Sequence, residues 1–245
     1  MSAPIFSQAL RNVPAKFILG LSATPERKDG MTPLLHYSMG EICYRIERSP
    51  EHTLVTCILY EGGQRREIQY RNGTIALPIM LNHLATDPVR NGIIAERIVE
   101  CRKHDRYVIV LTDRCVQLDC LTDLLLAKGI EASHISKYIG STPTSERERA
   151  AERPIILSTY SMAKEGLDIP RLDTLVLATP KGDIVQASGR VQRKHPTKKV
   201  PLIIDIIDTY SLFEKIRWKR WRHYKKEDFT CQTYNAHTDD ANWFT

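Results

Sequence analysis

Between about Pro88 and Ile207 the chain alternates short apolar runs with helical periodicities, and this rhythm restricts the fold more than any other feature. Ile93, Ile94, Ile98 and Val99 sit at helical spacing and lead into the uninterrupted apolar run Tyr107-Val108-Ile109-Val110-Leu111. A second helix carries Val116, Leu118, Leu121, Leu124 and Leu125 and closes at Gly129. Then follow a strand over 131–135, a charged helix over 145–152, a strand over 155–159 and a helix over 161–165. A strand over 174–177, a helix over 183–192 and a strand over 202–207 complete the series. Strands that are apolar throughout are buried on both faces, and strands alternating with helices make a parallel sheet with helices on both sides. In such sheets ligands collect beyond the carboxyl ends of the strands. Thr112, Thr159 and Pro180 fall there, so that edge is where chemistry is expected.

The flanks are less regular. Phe6, Ala9 and Leu10 suggest a helix ended by Pro14, and Phe17-Ile18-Leu19-Gly20-Leu21 a short strand, followed by Ser22-Ala23-Thr24-Pro25. Residues 41–87 hold two stretches of strand-like alternation, near 42–46 and 53–60, with turns at Gly62-Gly63 and Asn72-Gly73. The expected organisation is therefore an element of another domain over 1–40, a β-containing connector over 41–87, an α/β domain over 88–226 and a C-terminal tail over 227–245.

An apolar content of 42% suffices for a core. No apolar run approaches the ~18 residues of a membrane span, and the N-terminus lacks the basic-then-apolar pattern of a signal peptide. No membrane partner is expected, and the chain reads as a soluble intracellular protein. The six cysteines include no Cys-x-x-Cys pair, so no metal site is expected and free thiols in a reducing compartment are. The net charge of +6 is local. Residues 215–226 hold seven Lys/Arg and no acid, which leaves 28 bases against 29 acids elsewhere.

Two segments carry chemistry. Gln186-Ala187-Ser188-Gly189-Arg190-Val191-Gln192-Arg193 places Arg190 and Arg193 three residues apart, with Gln186 one turn before Arg190. Guanidinium is permanently charged and multiply donating, which suits a transferring phosphoryl group, and an isolated Arg-x-x-Arg is otherwise a solvated face. The second segment runs from Thr159 through Gly166-Leu167-Asp168 to Pro170. Its strand-end hydroxyl can bond a phosphate, and its loop carboxylate can accept from a ribose hydroxyl. What the 245 residues lack is a Gly-x-x-x-x-Gly-Lys-Ser/Thr loop or an Asp-Glu pair ending a strand.

Together these segments resemble superfamily 2 helicases. Ser22-Ala23-Thr24 is similar to motif III of that family and Val110-Leu111-Thr112-Asp113-Arg114 to motif IV. Thr159 through Pro170 resembles motif V, and Gln186 through Arg193 resembles motif VI. The run Gly20 through Gly30 looks like the DEAD-like helicases of large DNA viruses, which include poxvirus-type transcript-release helicases and are related to phage recombination and transcription-repair helicases. The resemblance implies a RecA-like α/β domain, preceded by a connector and by a remnant of a first RecA-like domain. It implies ATP as cofactor, with magnesium held by that first domain on the same polypeptide, and DNA as partner, with RNA also open. It assigns Ser22 and Thr24 to interdomain coupling, and Thr112, Arg114 and Thr159 to the backbone of the tracked strand. Gly166, Asp168 and Gln186 approach the nucleotide, and Arg190 and Arg193 supply positive charge to the γ-phosphate. The implied location is the cytoplasm or nucleus of an infected cell, or the virion.

Two readings stand for the basic run. Trp218, Trp221 and Tyr224 recur every three residues, as expected of a C-terminal helix packing an aromatic face on the sheet. Arg217, Lys219 and Arg222 could equally meet phosphates, with aromatics available for stacking. Both can hold at once. The implied function is the C-terminal portion of an ATP-dependent helicase or translocase. The alternatives are a non-catalytic nucleic-acid-binding module and a partner that completes another protein's ATPase site in trans.

Overall fold

The computed structural model describes residues 15–22, 30, 32–45, 52–63, 66–140, 142–164, 169–196 and 198–236. The chain divides into two compact units, Met1–Ser49 and Pro50–Thr245. In the first, residues 15–22 pair with no strand, contrary to the strand expected over 17–21, and a helix, α1, spans Thr32–Met39. Phe17, Leu19 and Leu21 are each more than 80% exposed. The expected helix before Pro14 lies outside the described residues.

The second unit is a seven-stranded parallel sheet. Its strands are β1 (Leu54–Tyr60), β2 (Val108–Thr112), β3 (Ile135–Tyr138), β4 (Ile155–Thr159), β5 (Thr174–Leu177), β6 (Leu202–Asp208) and β7 (Thr230–Asn235), in spatial order β3-β4-β2-β5-β6-β1-β7. Strands β2, β4, β5 and β6 are almost wholly buried and mostly Val/Ile/Leu, with Asp205 and Asp208 the charged exceptions on β6. Helices α3 (Pro88–Lys103) and α4 (Cys115–Ala127) cover one face through Ile94, Ile98, Leu118, Leu121 and Leu125. The other face is covered by α6 (Tyr160–Lys164), α7 (Val185–Val191) and α8 (Leu212–Lys226) through Tyr160, Ile184, Ala187, Val191 and Tyr224. Helix α5 (Thr144–Ala151) follows β3, and α2 (Leu77–Thr86) packs Met80, Leu81 and Leu84 on Phe213.

The sheet extends beyond the expected 88–226 span at both ends. The supposed connector contributes β1, paired from Leu54↔Leu202 to Tyr60↔Asp208 with β6. The supposed tail contributes β7, paired on the other side of β1 from Leu54↔Thr230. Local pattern can announce a strand but not its partners. β7 is the harder of the two to recognise, because as an edge strand it is half-solvated and its sequence Thr-Cys-Gln-Thr-Tyr-Asn is polar. Likewise β3 begins where the strand over 131–135 was expected to end, since a 3₁₀ turn occupies Ala132–His134.

Between the layers lies a charged interior. Arg90 on α3 is fully buried and donates Nε to Asp208 Oδ1 at 3.0 Å and Nη2 to Oδ2 at 2.9 Å, while Nη1 donates to Ala178 O at 2.6 Å. Asp87 caps the same helix by accepting from Arg90 N at 3.0 Å, and Tyr60 OH donates to its other oxygen at 2.8 Å. On the opposite face Asp205 accepts from Tyr224 OH at 2.8 Å and pairs with Arg220 Nη1 at 2.7 Å, both partners 1% exposed. Burial pushes the Asp205 carboxyl up, against the pull of Arg220. Removing one member of a buried pair strands the other charge, at a cost of about 3–5 kcal/mol. Arg90→Ala and Asp208→Ala should each destabilise the chain by that amount in urea unfolding, with Arg90→Ala/Asp208→Ala costing less than the sum of the two.

Candidate nucleic-acid and nucleotide site

A cavity of about 490 Å³ opens at the carboxyl ends of β2, β4 and β5, on the edge where the strand–helix rhythm places ligands. Thr159 ends β4, Ser161 lies in the first turn of α6, Asp113 follows β2, Cys115 starts α4 and Lys181 follows β5. Lys181 Nζ donates to Asp113 Oδ1 at 2.8 Å and Oδ2 at 3.1 Å, and lies 5.4 Å from the Tyr160 ring centroid. Thr159 Oγ1 and Ser161 Oγ are 3.0 Å apart. The rim is tied down by Tyr160 OH donating to Thr179 O at 2.8 Å and Asp113 N donating to Thr179 Oγ1 at 2.9 Å.

Of the residues expected on the strand's path, Thr159 lies on this surface and two others lie behind it. Thr112 is fully buried; its hydroxyl donates to Gln117 Oε1 at 2.6 Å and accepts from Arg114 N at 3.1 Å. Arg114 donates Nη2 to Pro78 O at 3.1 Å and Nη1 to Asp113 O at 3.3 Å. In this conformation these two side chains shape the end of β2. Lys181 and Ser161 had no expected role, although Lys181 stands one residue beyond Pro180, a strand end visible in the sequence.

The arginine segment departs from expectation in one respect. Helix α7 stops at Val191, so Arg193 lies past its end and does not share a helical face with Arg190. Lys198 Nζ donates to the carbonyl of Arg193 at 2.7 Å across the loop that holds Pro196. Ala187, Ser188 and Val191 pack into the sheet, Gln186 is exposed, and Arg190 and Arg193 are half-buried. Burial lowers the pKa of Arg190, against the nearby Tyr138 phenol. A partly desolvated guanidinium attracts an anion more strongly than a hydrated one. Among the described residues nothing approaches within 4 Å of where a Cβ on Gly189 would stand, so that face of α7 is open. Gly166, Asp168 and Thr24 lie outside the described residues, and Ser22 is exposed.

The basic helix α8 abuts this machinery. A Cβ on Gly182, next to Lys181, would meet Lys219 Cδ at 3.0 Å. Ser188 of α7 and His223 of α8 are joined through Oγ and Nε2 at 2.9 Å. Ser188 Oγ also lies 3.1 Å from Val185 O, and His223 Nδ1 lies 4.0 Å from Glu227. Lys219 and Arg222 face outward, whereas Arg217 is half-buried and pairs with Glu214 at 3.4 Å. The aromatic stripe divides: Tyr224 is core, Trp221 half-buried, and Trp218 51% exposed.

Residues 91–195 match the family model of the helicase conserved C-terminal domain. The chain carries a helicase C-terminal domain. A protein of Acanthamoeba polyphaga mimivirus that bears the name of an ATP-dependent RNA helicase is 32% identical over 241 residues, covering 96% of this chain and 46% of that protein. One of African swine fever virus (strain Badajoz 1971 Vero-adapted), with the same kind of name, is 24% identical over 242 residues, covering 86% and 46%. The chain thus spans about half the length of the curated relatives it matches. Among solved structures it superposes on T4 UvsW with a TM-score of 0.57 at 20% identity, over 83% of this chain and 45% of that one. It superposes on S. cerevisiae Dbp5 bound to RNA and ADP BeF3 with a TM-score of 0.56 at 15% identity, over 95% and 55%. The fold is therefore RecA-like, a parallel α/β sheet with helices on both faces. No helix among the described residues is long and apolar enough to cross a membrane.

The α7–α8 contact of this helicase domain carries a pH signature. Burial holds the His223 pKa below its usual 6.5, with Lys226 acting the same way and Glu227 and Asp183 opposing. The fold favours the neutral ring, so its contribution is complete above the unfolded value and is lost as pH falls through the lower folded one. Urea midpoints should decline from about pH 7 to about pH 5, and less steeply in His223→Gln.

Proposed function

We propose that the chain is the C-terminal portion of an ATP-dependent helicase or translocase whose cavity at the ends of β2, β4 and β5 receives the phosphates of a tracked strand, DNA in the first instance. The observation that carries this reading is the grouping of Thr159, Ser161 and Lys181 around one opening at the ligand edge of the sheet. A partly solvated ion pair such as Lys181–Asp113 contributes only about 0–1 kcal/mol, so a phosphate can take the ammonium at little cost. Lys219 and Arg222, with Arg217, extend the cationic surface along α8, while Thr112 and Arg114 hold the end of β2 in place. Arg190 and Arg193 supply positive charge to the γ-phosphate of ATP beside Gln186, and Gly166 and Asp168 approach the nucleotide.

The phosphate-gripping loop and the magnesium carboxylates belong, on this reading, to a first RecA-like domain of the same polypeptide. Residues 1–40 are then part of it, with Ser22 and Thr24 coupling the two. The exposure of Phe17, Leu19 and Leu21 supports this, because such side chains are what a neighbouring layer would bury.

Lys181→Ala and the charge reversals Lys219→Glu and Arg222→Glu should each weaken binding of a fluorescent single strand and reduce its salt slope by about 0.7 per lost phosphate contact. Matched DNA and RNA belong in that assay, since the mimivirus relative bears the name of an RNA helicase. Unchanged affinities in all three variants would sink the strand assignment. For catalysis, the 245 residues alone should turn over no ATP. Adding a polypeptide with the phosphate loop and Asp-Glu pair should restore turnover, and Arg190→Ala should remove it again by about 10³-fold or more. Turnover by the chain alone would contradict the assignment.

A further inference from the structure

A second cavity, of about 200 Å³, lies away from the first, on the flank of α8 facing the sheet edge. Three neighbouring strands supply its floor at one level, because Cys57 of β1 is in register with Asp205 of β6 and with Thr233 of β7. Its walls are Trp218, Trp221 and Arg217 of α8. At 200 Å³ it is smaller than the ~300–1,000 Å³ of sites for drug-sized ligands, which limits the occupant to about one heteroaromatic ring system.

The lining is specific in its chemistry. Trp218 is half exposed, with the Arg217 guanidinium 5.4 Å from its ring centroid, and Lys225 Nζ lies 5.4 Å from that of Trp221. Asp205 closes the floor, with Oδ2 accepting from Tyr224 OH at 2.8 Å and Oδ1 held 2.7 Å from Arg220 Nη1. Burial also pushes the Cys57 thiol up, so it stays protonated beside Asp205.

An indole surface sized for one ring system beside a cationic rim selects a flat ring joined to negative charge. We propose that this cavity receives one unstacked nucleobase, laid against the Trp218 and Trp221 indoles. The base comes from a nucleic-acid strand, whose phosphates meet Lys219 and Arg222 on the outer side of the same helix. The proposal rests on the nucleic-acid reading above and adds base contact to a surface that otherwise holds only backbone. A free nucleoside has the same chemistry and is the other possible source.

The chain has three tryptophans, so Trp243→Phe leaves Trp218 and Trp221 as the only emitters. In that background, fluorescence is read against a single-stranded oligonucleotide, the same strand with abasic sites, and adenosine. Binding of both strands is followed separately by anisotropy of a dye on the oligonucleotide. The intact strand should quench, and the abasic strand should bind without quenching. Adenosine should quench only at higher concentrations than the intact strand, since it brings no phosphates to the cations. Trp218→Leu, at a half-exposed position, should weaken the intact strand by roughly 5- to 150-fold and leave the abasic strand unchanged. Thr233→Leu, which narrows the cavity from the edge strand, should act in the same direction.

Quenching by adenosine but not by the intact strand would assign the cavity to free nucleosides and overturn the strand contact. Equal affinities of intact and abasic strands, both indifferent to Trp218→Leu, would overturn the proposal and leave the nucleic-acid reading standing. If neither strand binds, the nucleic-acid reading fails, and the base pocket fails with it unless adenosine still quenches.

Discussion

The buried pair between Arg90 and Asp208 is the interaction on which the functional edge of this domain depends. One guanidinium spans three elements, because it grips β6 at both carboxylate oxygens and the end of β5 at Ala178 O while projecting from α3. The same carbonyl accepts from Gln117 at 3.4 Å, and Gln117 in turn accepts from Thr112 at the end of β2. Asn91, next to Arg90, accepts from Gln117 at 2.9 Å and donates to Ala85 O at 2.8 Å. The ends of β2, β5 and β6 are thus fixed relative to one another by polar groups that have no water to fall back on. The cavity holding Thr159 and Lys181 sits directly in front of that lattice.

A second lattice stands on the other face of β6. Asp205, Arg220 and Tyr224 anchor the basic helix from below, so a segment with seven cations uses one of them as structure and keeps the others for the surface. Through Ser188–His223 and Gly182–Lys219 the helix is also bonded to α7 and packed on the loop after β5. A displacement of the basic helix therefore has a short physical route to the helix that carries Arg190.

Much of this was legible in the sequence. Apolar runs such as Tyr107–Leu111 and 155–159 are so one-sided in composition that only a doubly covered parallel strand accommodates them, and the ligand edge then follows from chain direction. The segments singled out in the sequence fall at the end of β4, where Thr159 stands, and on the helix after β5, where Arg190 stands. Partnership was not legible. Arg220 looks like every other cation in Lys215 through Lys226 until Asp205 is found beneath it. Thr112 looks like a surface hydroxyl until Gln117 closes over it, and Arg193 looks like a helical neighbour of Arg190 until the helix stops at Val191.

The sequence by itself determined the class of fold, the order of most of its elements, the edge at which the cavity of about 490 Å³ opens and the resemblance to helicases. These depend on local periodicity and on residue types at strand ends, both of which are short-range. Only the tertiary structure decided that β1 and β7 complete the sheet and that Arg90, Arg106 and Arg220 are interior counter-ions. It alone brought Lys181 to Asp113, 68 residues away, and lined one small cavity with two indoles. Those outcomes depend on which segments meet across the sheet. That pairing is set by the burial of whole layers rather than by any stretch of neighbouring residues.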